Sequence, residues 1–342
     1  MVTFIRKLGL LIIDFFTYSL WLVDILTNRF LLKIYKKSLK FSAAVISILF
    51  FVFLVYSYKT ESVAKVADGY FSGFFEHTQI HQTLEKEFPV LLGNSSPPFV
   101  TAKSFLVADK SNSKILFSKN GTQKQPPAST AKLMTALVAL DIYDLSEIVE
   151  VPEVCTKIDS TKAWLPVKTR YSVKDLIYSM LIGSAGDSAC VLSTAKLPYE
   201  NFVSLMNRKA ALIGLANTHF SNPIGLDDAD GQNYSTVEDL YVLSKAVMEN
   251  SIVSDAVKTE RYELKSEDKS FINTIYSTNQ LLYEIPNTLG VKTGTTESAG
   301  EVFVYDYADE EKDLIIVVMG SQDRFTDTKN LLYWALNSYS WK

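Results

Sequence analysis

The chain has 342 residues, 47% of them hydrophobic and 21% charged, and its net charge is −4. This length suffices for one large domain or two small ones. The first 40 residues carry a net charge of +5 and residues 41–58 carry none, which leaves −9 on residues 59–342. So acidic a remainder argues against nucleic acid as a partner.

Residues 41–58 are predicted to form a transmembrane helix. The run contains 18 residues without a charged side chain, and as a helix it would be about 27 Å long, close to the thickness of a hydrocarbon core. Basic side chains precede it at Arg29, Lys33, Lys36, Lys37 and Lys40. By the positive-inside rule, the N-terminal side of this helix is cytoplasmic and the chain after Lys59 is exported. Residues 1–40 are expected to be a cytoplasmic or interfacial segment. We interpret the run as an uncleaved anchor, with a cleaved signal peptide as the alternative.

An earlier apolar stretch, residues 8–26, contains Asp14 and Asp24. Two carboxylates are costly in hydrocarbon, so an interfacial helix and a second membrane span both remain open for this stretch. Either choice leaves the large domain outside.

Residues 59–97 are predicted to be a juxtamembrane spacer, helical over residues 63–92 and ending in a Pro/Ser cluster typical of a domain boundary. His77 and His81 lie four residues apart in it. Two potential ligands without a nearby third are more often solvated helix positions. No metal and no cofactor is predicted.

Residues 98–342 are predicted to form one α+β domain. Residues 104–109 and 114–119 have the pattern of a β-hairpin. Helices are predicted over residues 173–182, 188–195, 200–215 and 236–248. Three strand-like runs follow at residues 290–295, 301–307 and 314–319, and a final helix is predicted over residues 328–340. Strands at both ends with helices between them suggest a sheet completed by pairing the two termini of the domain.

The two cysteines, Cys155 and Cys190, both lie in the part predicted to be exported, where a disulfide is permitted. Two residues cannot establish a disulfide framework. Free buried thiols are the simpler expectation.

Ser129 and Lys132 form the first candidate catalytic pair. Two prolines precede them and a periodic apolar run follows, so Ser129 is predicted in the first turn of a helix, on the same face as Lys132. A serine needs a neighbouring base, and a lysine can be that base if desolvation and nearby positive charge lower its pKa. The alternative is a capping serine and a solvated lysine, because such short motifs recur by chance.

Two more motifs follow in order. Ser184-Ala185-Gly186 lies between two predicted helices, and Lys292-Thr293-Gly294 begins a predicted strand. The ordered set S-x-x-K, S-x-N and K-T-G is the signature of penicillin-binding proteins and class A β-lactamases. Over about residues 98–342 the chain resembles the D-alanyl-D-alanine carboxypeptidases, the low-molecular-mass penicillin-binding proteins. The stretches that carry the resemblance are PPASTAKLMTAL, YSVKDLIYSMLIGSAGDSA, THFSNPIGLDD, NYSTVEDL, STNQLL and GVKTGTTESAG.

This resemblance implies a β-lactamase/transpeptidase-like fold, with an antiparallel sheet flanked by helices and a helical middle subdomain. It also implies removal of the terminal D-Ala from peptidoglycan stem peptides through an acyl-enzyme, with β-lactam antibiotics as acylating inhibitors. The expected location is the bacterial cell membrane, where the predicted helix crosses the lipid bilayer and the catalytic domain lies outside. A D,D-endopeptidase that acts on cross-linked peptidoglycan would use the same residues.

The resemblance also implies roles for individual side chains. Ser129 would attack the scissile carbonyl, Lys132 would take its proton, and Ser184 would relay a proton toward the leaving amine. Lys292 would help to hold Lys132 neutral and attract the substrate carboxylate.

Four further residues are expected to bind substrate. Thr293 and Thr295 would contact it from the strand, Gly294 would keep the strand surface flat for an extended peptide, and Arg324 matches a family arginine near the carboxylate end. Backbone N–H groups of Ser129 and Thr295 would form the oxyanion hole.

One departure from the family pattern concerns the middle motif, where Gly186 stands in place of Asn. The amide that would hydrogen-bond the peptide carbonyl is therefore missing, and a catalytically weakened wall-binding protein is an alternative function. Ile224 stands where many relatives carry His, and it is assigned no catalytic role. A β-lactamase is disfavoured, since no separate glutamate motif suited to rapid deacylation is found.

Overall fold

The computed structural model describes residues 89–93 and 95–341. The predicted anchor at 41–58, the stretch 8–26, and most of the predicted spacer with His77 and His81 lie outside the described residues. Within the described part of the chain, no helix has the length and apolar character needed to cross a membrane.

Most of the described strands lie toward the two ends of the described chain, and most of the helices lie between them. The strands are β1 (Val90–Leu91), β2 (Ser104–Asp109), β3 (Lys114–Lys119), β4 (Ile148–Glu150), β5 (Arg170–Ser172), β6 (Arg261–Lys265), β7 (Ile272–Tyr276), β8 (Thr288–Thr296), β9 (Gly300–Ala308), β10 (Asp313–Ser321) and β11 (Tyr339–Ser340). The helices are α1 (Lys132–Ile142), α2 (Glu153–Thr156), α3 (Val173–Ile182), α4 (Gly186–Thr194), α5 (Tyr199–Leu212), α6 (Val237–Met248), α7 (Ser251–Lys258), α8 (Leu281–Glu284) and α9 (Arg324–Ser338).

The central sheet has five antiparallel strands in the order β3-β2-β10-β9-β8. Strands β2 and β3 form the predicted hairpin. Strand β2 pairs with β10, with Leu106 opposite Val317. The prediction that the two ends of the domain complete one sheet is therefore confirmed.

Both faces of this sheet are covered. Along β10, Ile315 and Val317 pack into the core shared with the middle helices, whereas Ile316 and Val318 pack on the opposite face with Leu331 of α9. Because successive side chains of a strand point to opposite faces, a strand buried on both sides is apolar at every position. Burial on both faces therefore explains why the sequence of β10 contains an unbroken apolar run.

Several predicted boundaries were wrong. Helix α9 begins at Arg324 rather than at residue 328, because the Asp323 side chain caps it by accepting a hydrogen bond from the Thr326 amide. Helix α4 begins at Gly186 rather than at residue 188. The end of the predicted spacer helix is instead β1, which pairs with β11 at the end of the chain.

The expectation of free thiols was also wrong, since Cys155 and Cys190 form a disulfide with their Cα atoms 5.4 Å apart. The two residues are 35 positions apart in the sequence, and only the packing of α2 against α4 brings them together. This bond ties α2, which directly precedes the loop that begins at Lys157, to α4, the helix that begins at Gly186.

Candidate active site

Ser129 lies in a turn of 3₁₀ helix, Ala128–Ala131, that leads directly into α1. The sequence predicted Ser129 in the first turn of a helix, and the structure refines that turn to the tighter 3₁₀ form. Ala128, immediately before it, has a φ of 48°. A left-handed conformation is uncommon outside glycine and is found where the surrounding structure imposes it, often at functional sites.

Lys132 is the first residue of α1 and is completely buried. Its Nζ lies 2.8 Å from Ser129 Oγ and 2.7 Å from the carbonyl oxygen of Ile224. Burial lowers the pKa of Lys132 to about 7, and the negative charge of Asp187 opposes this by raising it. A lysine near neutrality can exist as the free amine, which accepts the hydroxyl proton of a serine at this distance.

The loop that carries Ile224 is shaped by Asn222. The side-chain oxygen of Asn222 accepts hydrogen bonds from the backbone N–H groups of Ile224, Gly225 and Leu226. Gly225 has a φ of 85°, and a Cβ there would lie 1.8 Å from the Ala128 carbonyl oxygen. Close packing of this loop on the serine turn therefore requires glycine, and it delivers the Ile224 carbonyl to Lys132.

Lys292 lies on β8 and is 1% exposed. Its pKa is well below the ordinary value, first because of burial and then because of the positive charges of Lys132 and Arg324. Its Nζ donates to the carbonyl of Thr293 at 2.9 Å. The lowering of the Lys132 pKa follows from burial. The repulsion between the two lysines lowers the pKa of Lys292, and the expected role of Lys292 in holding Lys132 neutral stays a prediction.

Gly294 of β8 lies directly against the serine turn. A Cβ at this position would be 2.8 Å from the Ser129 nitrogen and 2.9 Å from Ala128 Cβ. The absence of a side chain thus leaves the Ser129 N–H open toward the strand. Thr293 is buried, and its hydroxyl lies 2.6 Å from that of Thr278.

Arg324 joins α9 to the end of β8. Its Nη1 donates to the Gly294 carbonyl at 2.7 Å and to Thr295 Oγ1 at 2.5 Å. Its Nε lies 3.9 Å from a carboxylate oxygen of Glu301. Arg324 thus contacts β8 directly after Lys292 and Thr293, beside the exposed side chain of Thr295.

Ser184 lies in the short connection between α3 and α4, with a φ of 59° and only 6% of its surface exposed. Its hydroxyl makes no hydrogen bond with another described residue. The structure thus joins Ser129 to Lys132 and Arg324 to Thr295 by direct contacts, whereas Ser184 has no hydrogen bond to the other predicted site residues.

Comparison with known proteins gives one consistent result. The sequence profile of the D-alanyl-D-alanine carboxypeptidase family matches residues 93–323. The chain belongs to this family.

The similarity extends to individual carboxypeptidases. The chain is 30% identical to D-alanyl-D-alanine carboxypeptidase DacB2 of Mycobacterium tuberculosis over 66% of this chain and 77% of that protein. It is 32% identical to D-alanyl-D-alanine carboxypeptidase DacA of Haemophilus influenzae over 71% of this chain and 64% of that protein. The match therefore spans less than two thirds of the Haemophilus carboxypeptidase.

Solved structures of the carboxypeptidase fold superpose well. A D-alanyl-D-alanine carboxypeptidase from Mycobacterium tuberculosis matches with a TM-score of 0.66 at 29% identity, covering 72% of this chain and 96% of that one. A Streptomyces DD-transpeptidase matches with a TM-score of 0.67 at 26% identity, covering 70% and 99%. These likenesses confirm the predicted α+β transpeptidase-like fold.

Three residues contribute to the site of this D-alanyl-D-alanine carboxypeptidase in ways that the sequence did not predict. The Ile224 carbonyl contacts Lys132 although the Ile224 side chain was given no role, and Asn222 folds the loop that supplies it. Asp187, on α4, raises the pKa of Lys132 through its negative charge. A backbone carbonyl has no sequence signature, but the Asn-Pro-x-Gly pattern of this loop signals a tight turn.

Proposed function

We propose that this protein is a membrane-anchored serine D-alanyl-D-alanine carboxypeptidase that removes the terminal D-Ala of peptidoglycan stem peptides. One observation carries the proposal: Ser129 Oγ lies 2.8 Å from the Nζ of a fully buried lysine whose pKa is lowered to about 7. Nucleophile and base are thus within hydrogen-bond distance, and the base can be neutral at the pH of its surroundings.

In the proposed reaction, Ser129 Oγ attacks the carbonyl carbon of the penultimate D-Ala while its proton passes to Lys132. The bond between that carbon and the nitrogen of the terminal D-Ala then breaks, and the nitrogen takes up a proton. The buried hydroxyl of Ser184, which makes no hydrogen bond with another described residue, is available to relay it. Water afterwards cleaves the Oγ–acyl ester, which frees Ser129 and releases the shortened peptide.

Strand β8 would hold the substrate. An extended peptide could pair along the strand, because Gly294 presents no side chain there and leaves the Ser129 N–H free to stabilise the oxyanion together with the N–H of Thr295. Lys292, Arg324 and Thr295 offer positive charge and hydroxyl contacts to the terminal carboxylate. The same features would receive the carboxylate and carbonyl of a β-lactam.

Anchoring in the bacterial cell membrane is part of the proposal and rests on the sequence. Residues 41–58 lack charges, and a basic cluster precedes them. Full-length protein should sediment with membranes and resist extraction by alkaline carbonate, and protease added outside the cell should degrade the catalytic domain. Extraction into the soluble fraction would contradict the anchor.

The catalytic assignment is tested with the full-length protein in detergent. Fluorescent penicillin should label it, Ser129→Ala should abolish labelling, and the exposed serine variant Ser251→Ala should be labelled like the wild type. Release of one D-Ala per pentapeptide is the expected activity. Mass spectrometry of products from cross-linked peptidoglycan would reveal an endopeptidase instead. Binding to peptidoglycan without any D-Ala release would favour a wall-binding protein with a weakened site.

A further inference from the structure

Gly186, the residue that departs from the family motif, is packed against a hydroxyl from a different segment. A Cβ built on Gly186 would lie 2.6 Å from Ser160 Oγ and 2.7 Å from Ser160 Cβ. The next nearest atom is Cγ2 of Ile224, at 3.2 Å. The space into which a side chain at position 186 would project is thus already filled by Ser160, beside the residue whose carbonyl contacts Lys132.

The loop that carries Ser160 is fixed to the start of α4 by several bonds. The Gly186 N–H donates to the Thr161 carbonyl at 2.7 Å. The buried carboxylate of Asp187 accepts hydrogen bonds from the N–H groups of Ala163 at 3.0 Å and Leu165 at 3.1 Å. Together with the disulfide before the loop, these bonds hold Ser160 in a set position relative to the helix.

The Ser160 hydroxyl is free to act on a ligand. Ser160 is partly exposed, and its hydroxyl makes no hydrogen bond with any other described residue. A serine hydroxyl is both donor and acceptor. A donor with no partner among the described residues, at the wall of the proposed peptide-binding site, can satisfy a peptide carbonyl as a side-chain amide would.

We propose that Ser160 is a substrate-binding residue of this site, whose hydroxyl donates to the peptide carbonyl that the missing Asn amide would otherwise contact. Gly186 and Ser160 then form a matched pair, because only glycine lets the loop approach closely enough. This proposal rests on the proposed function, since it assumes that an acyl-peptide binds beside Ser129.

The first test compares two β-lactams that differ at this contact. Benzylpenicillin carries an acylamino carbonyl, whereas 6-aminopenicillanic acid has a free amine there. Ser160→Ala should slow acylation of the full-length protein by benzylpenicillin about three- to tenfold, the usual effect of losing one neutral hydrogen bond. Acylation by 6-aminopenicillanic acid should be unchanged. Thr161→Ala, which removes an exposed hydroxyl from the next residue of the loop, is the matched control and should alter neither rate.

An equal effect of Ser160→Ala on both compounds, or no effect on either, would overturn the proposal. The ratio of the acylation rates with benzylpenicillin and 6-aminopenicillanic acid tests Ser160 alone, whereas D-Ala release from pentapeptide tests the proposed function. A wild-type protein that is acylated but releases no D-Ala from pentapeptide contradicts the proposed carboxypeptidase while the ratio still reports on Ser160.

The second test places an asparagine at position 186, the first residue of α4, where the family motif has it. Gly186→Asn alone should impair acylation and lower the melting temperature, because the new side chain meets Ser160. Combining it with Ser160→Gly should relieve the collision and restore both properties. If Gly186→Asn alone performs as well as the double variant, Ser160 does not occupy this space and the proposal fails.

Discussion

The dependence of acylation on pH provides the sharpest test of Lys132 as the base. The base must be the neutral amine, so raising the pH through its pKa increases the active fraction and the acylation rate. An ordinary lysine has a pKa of 10.5, and burial lowers that of Lys132 to about 7. The rate should therefore rise through neutral pH rather than near pH 10.

The expected change in acylation rate follows from the pKa of Lys132. With a pKa of about 7, roughly 9% of Lys132 is neutral at pH 6 and roughly 91% at pH 8, so acylation should increase about tenfold across this interval. At pH 7 about half of the side chains are neutral, against about 0.03% for a lysine with the ordinary pKa. Burial thus increases the fraction of neutral Lys132 at pH 7 by about a thousandfold.

Stopped-flow measurement of acylation by a chromogenic β-lactam between pH 5.5 and 9 would give the profile. Lys132→Arg is the informative variant, since arginine keeps the charge and hydrogen-bond donors but cannot lose its proton. It should be inactive at every pH. A rate that is flat from pH 6 to 8, or acylation by Lys132→Arg at more than a few per cent of the wild-type rate, would refute the role of Lys132 as the base.

Three further predictions concern the rest of the site. Gly294→Ala should slow acylation about a hundredfold and lower the melting temperature, because its Cβ would lie 2.8 Å from the Ser129 nitrogen, press on the serine turn and obstruct one oxyanion donor. A normal acylation rate would show that this N–H is not used. Arg324→Lys should raise the KM for pentapeptide about tenfold or more, since a lysine cannot pair with the substrate carboxylate through two parallel hydrogen bonds as a guanidinium can, and kcat should change less. Replacing both Cys155 and Cys190 by Ala should lower the free energy of unfolding in urea by about 3 to 4 kcal/mol, from the loop of 35 residues that the disulfide closes, and an unchanged midpoint would contradict this.

The parts of the fold that the sequence predicted well have strong local signals. Helix α3 was predicted with both ends correct, and Ser172 caps it by accepting a hydrogen bond from the Asp175 amide. Hairpin β6–β7 received no prediction, because its strands are short, polar and mostly exposed. Elements of that kind are held by tertiary contacts that a local pattern does not contain.

The candidate site likewise combines residues that a local pattern predicts with residues that only tertiary packing brings together. Ser129 and Lys132 are three residues apart on consecutive helical turns, so sequence spacing alone predicts their contact. Other parts of the site come from segments that are distant in the chain. These are the Ile224 carbonyl, Ser160 and the disulfide that ties α2 to α4. Their contributions depend on backbone geometry and on how loops pack, and neither of these can be inferred from one sequence.

The pairing of β1 with β11 determines where a stable fragment of this protein can begin. Val90 and Leu91 cover the backbone of Tyr339 and Ser340, and the Leu92 N–H donates to the Ser338 carbonyl at 2.7 Å. A fragment cut at the Pro/Ser cluster would leave that strand with an open edge, to which another chain could add. Recombinant versions that start before Pro89 keep the edge closed and are the better material for crystallisation and kinetics.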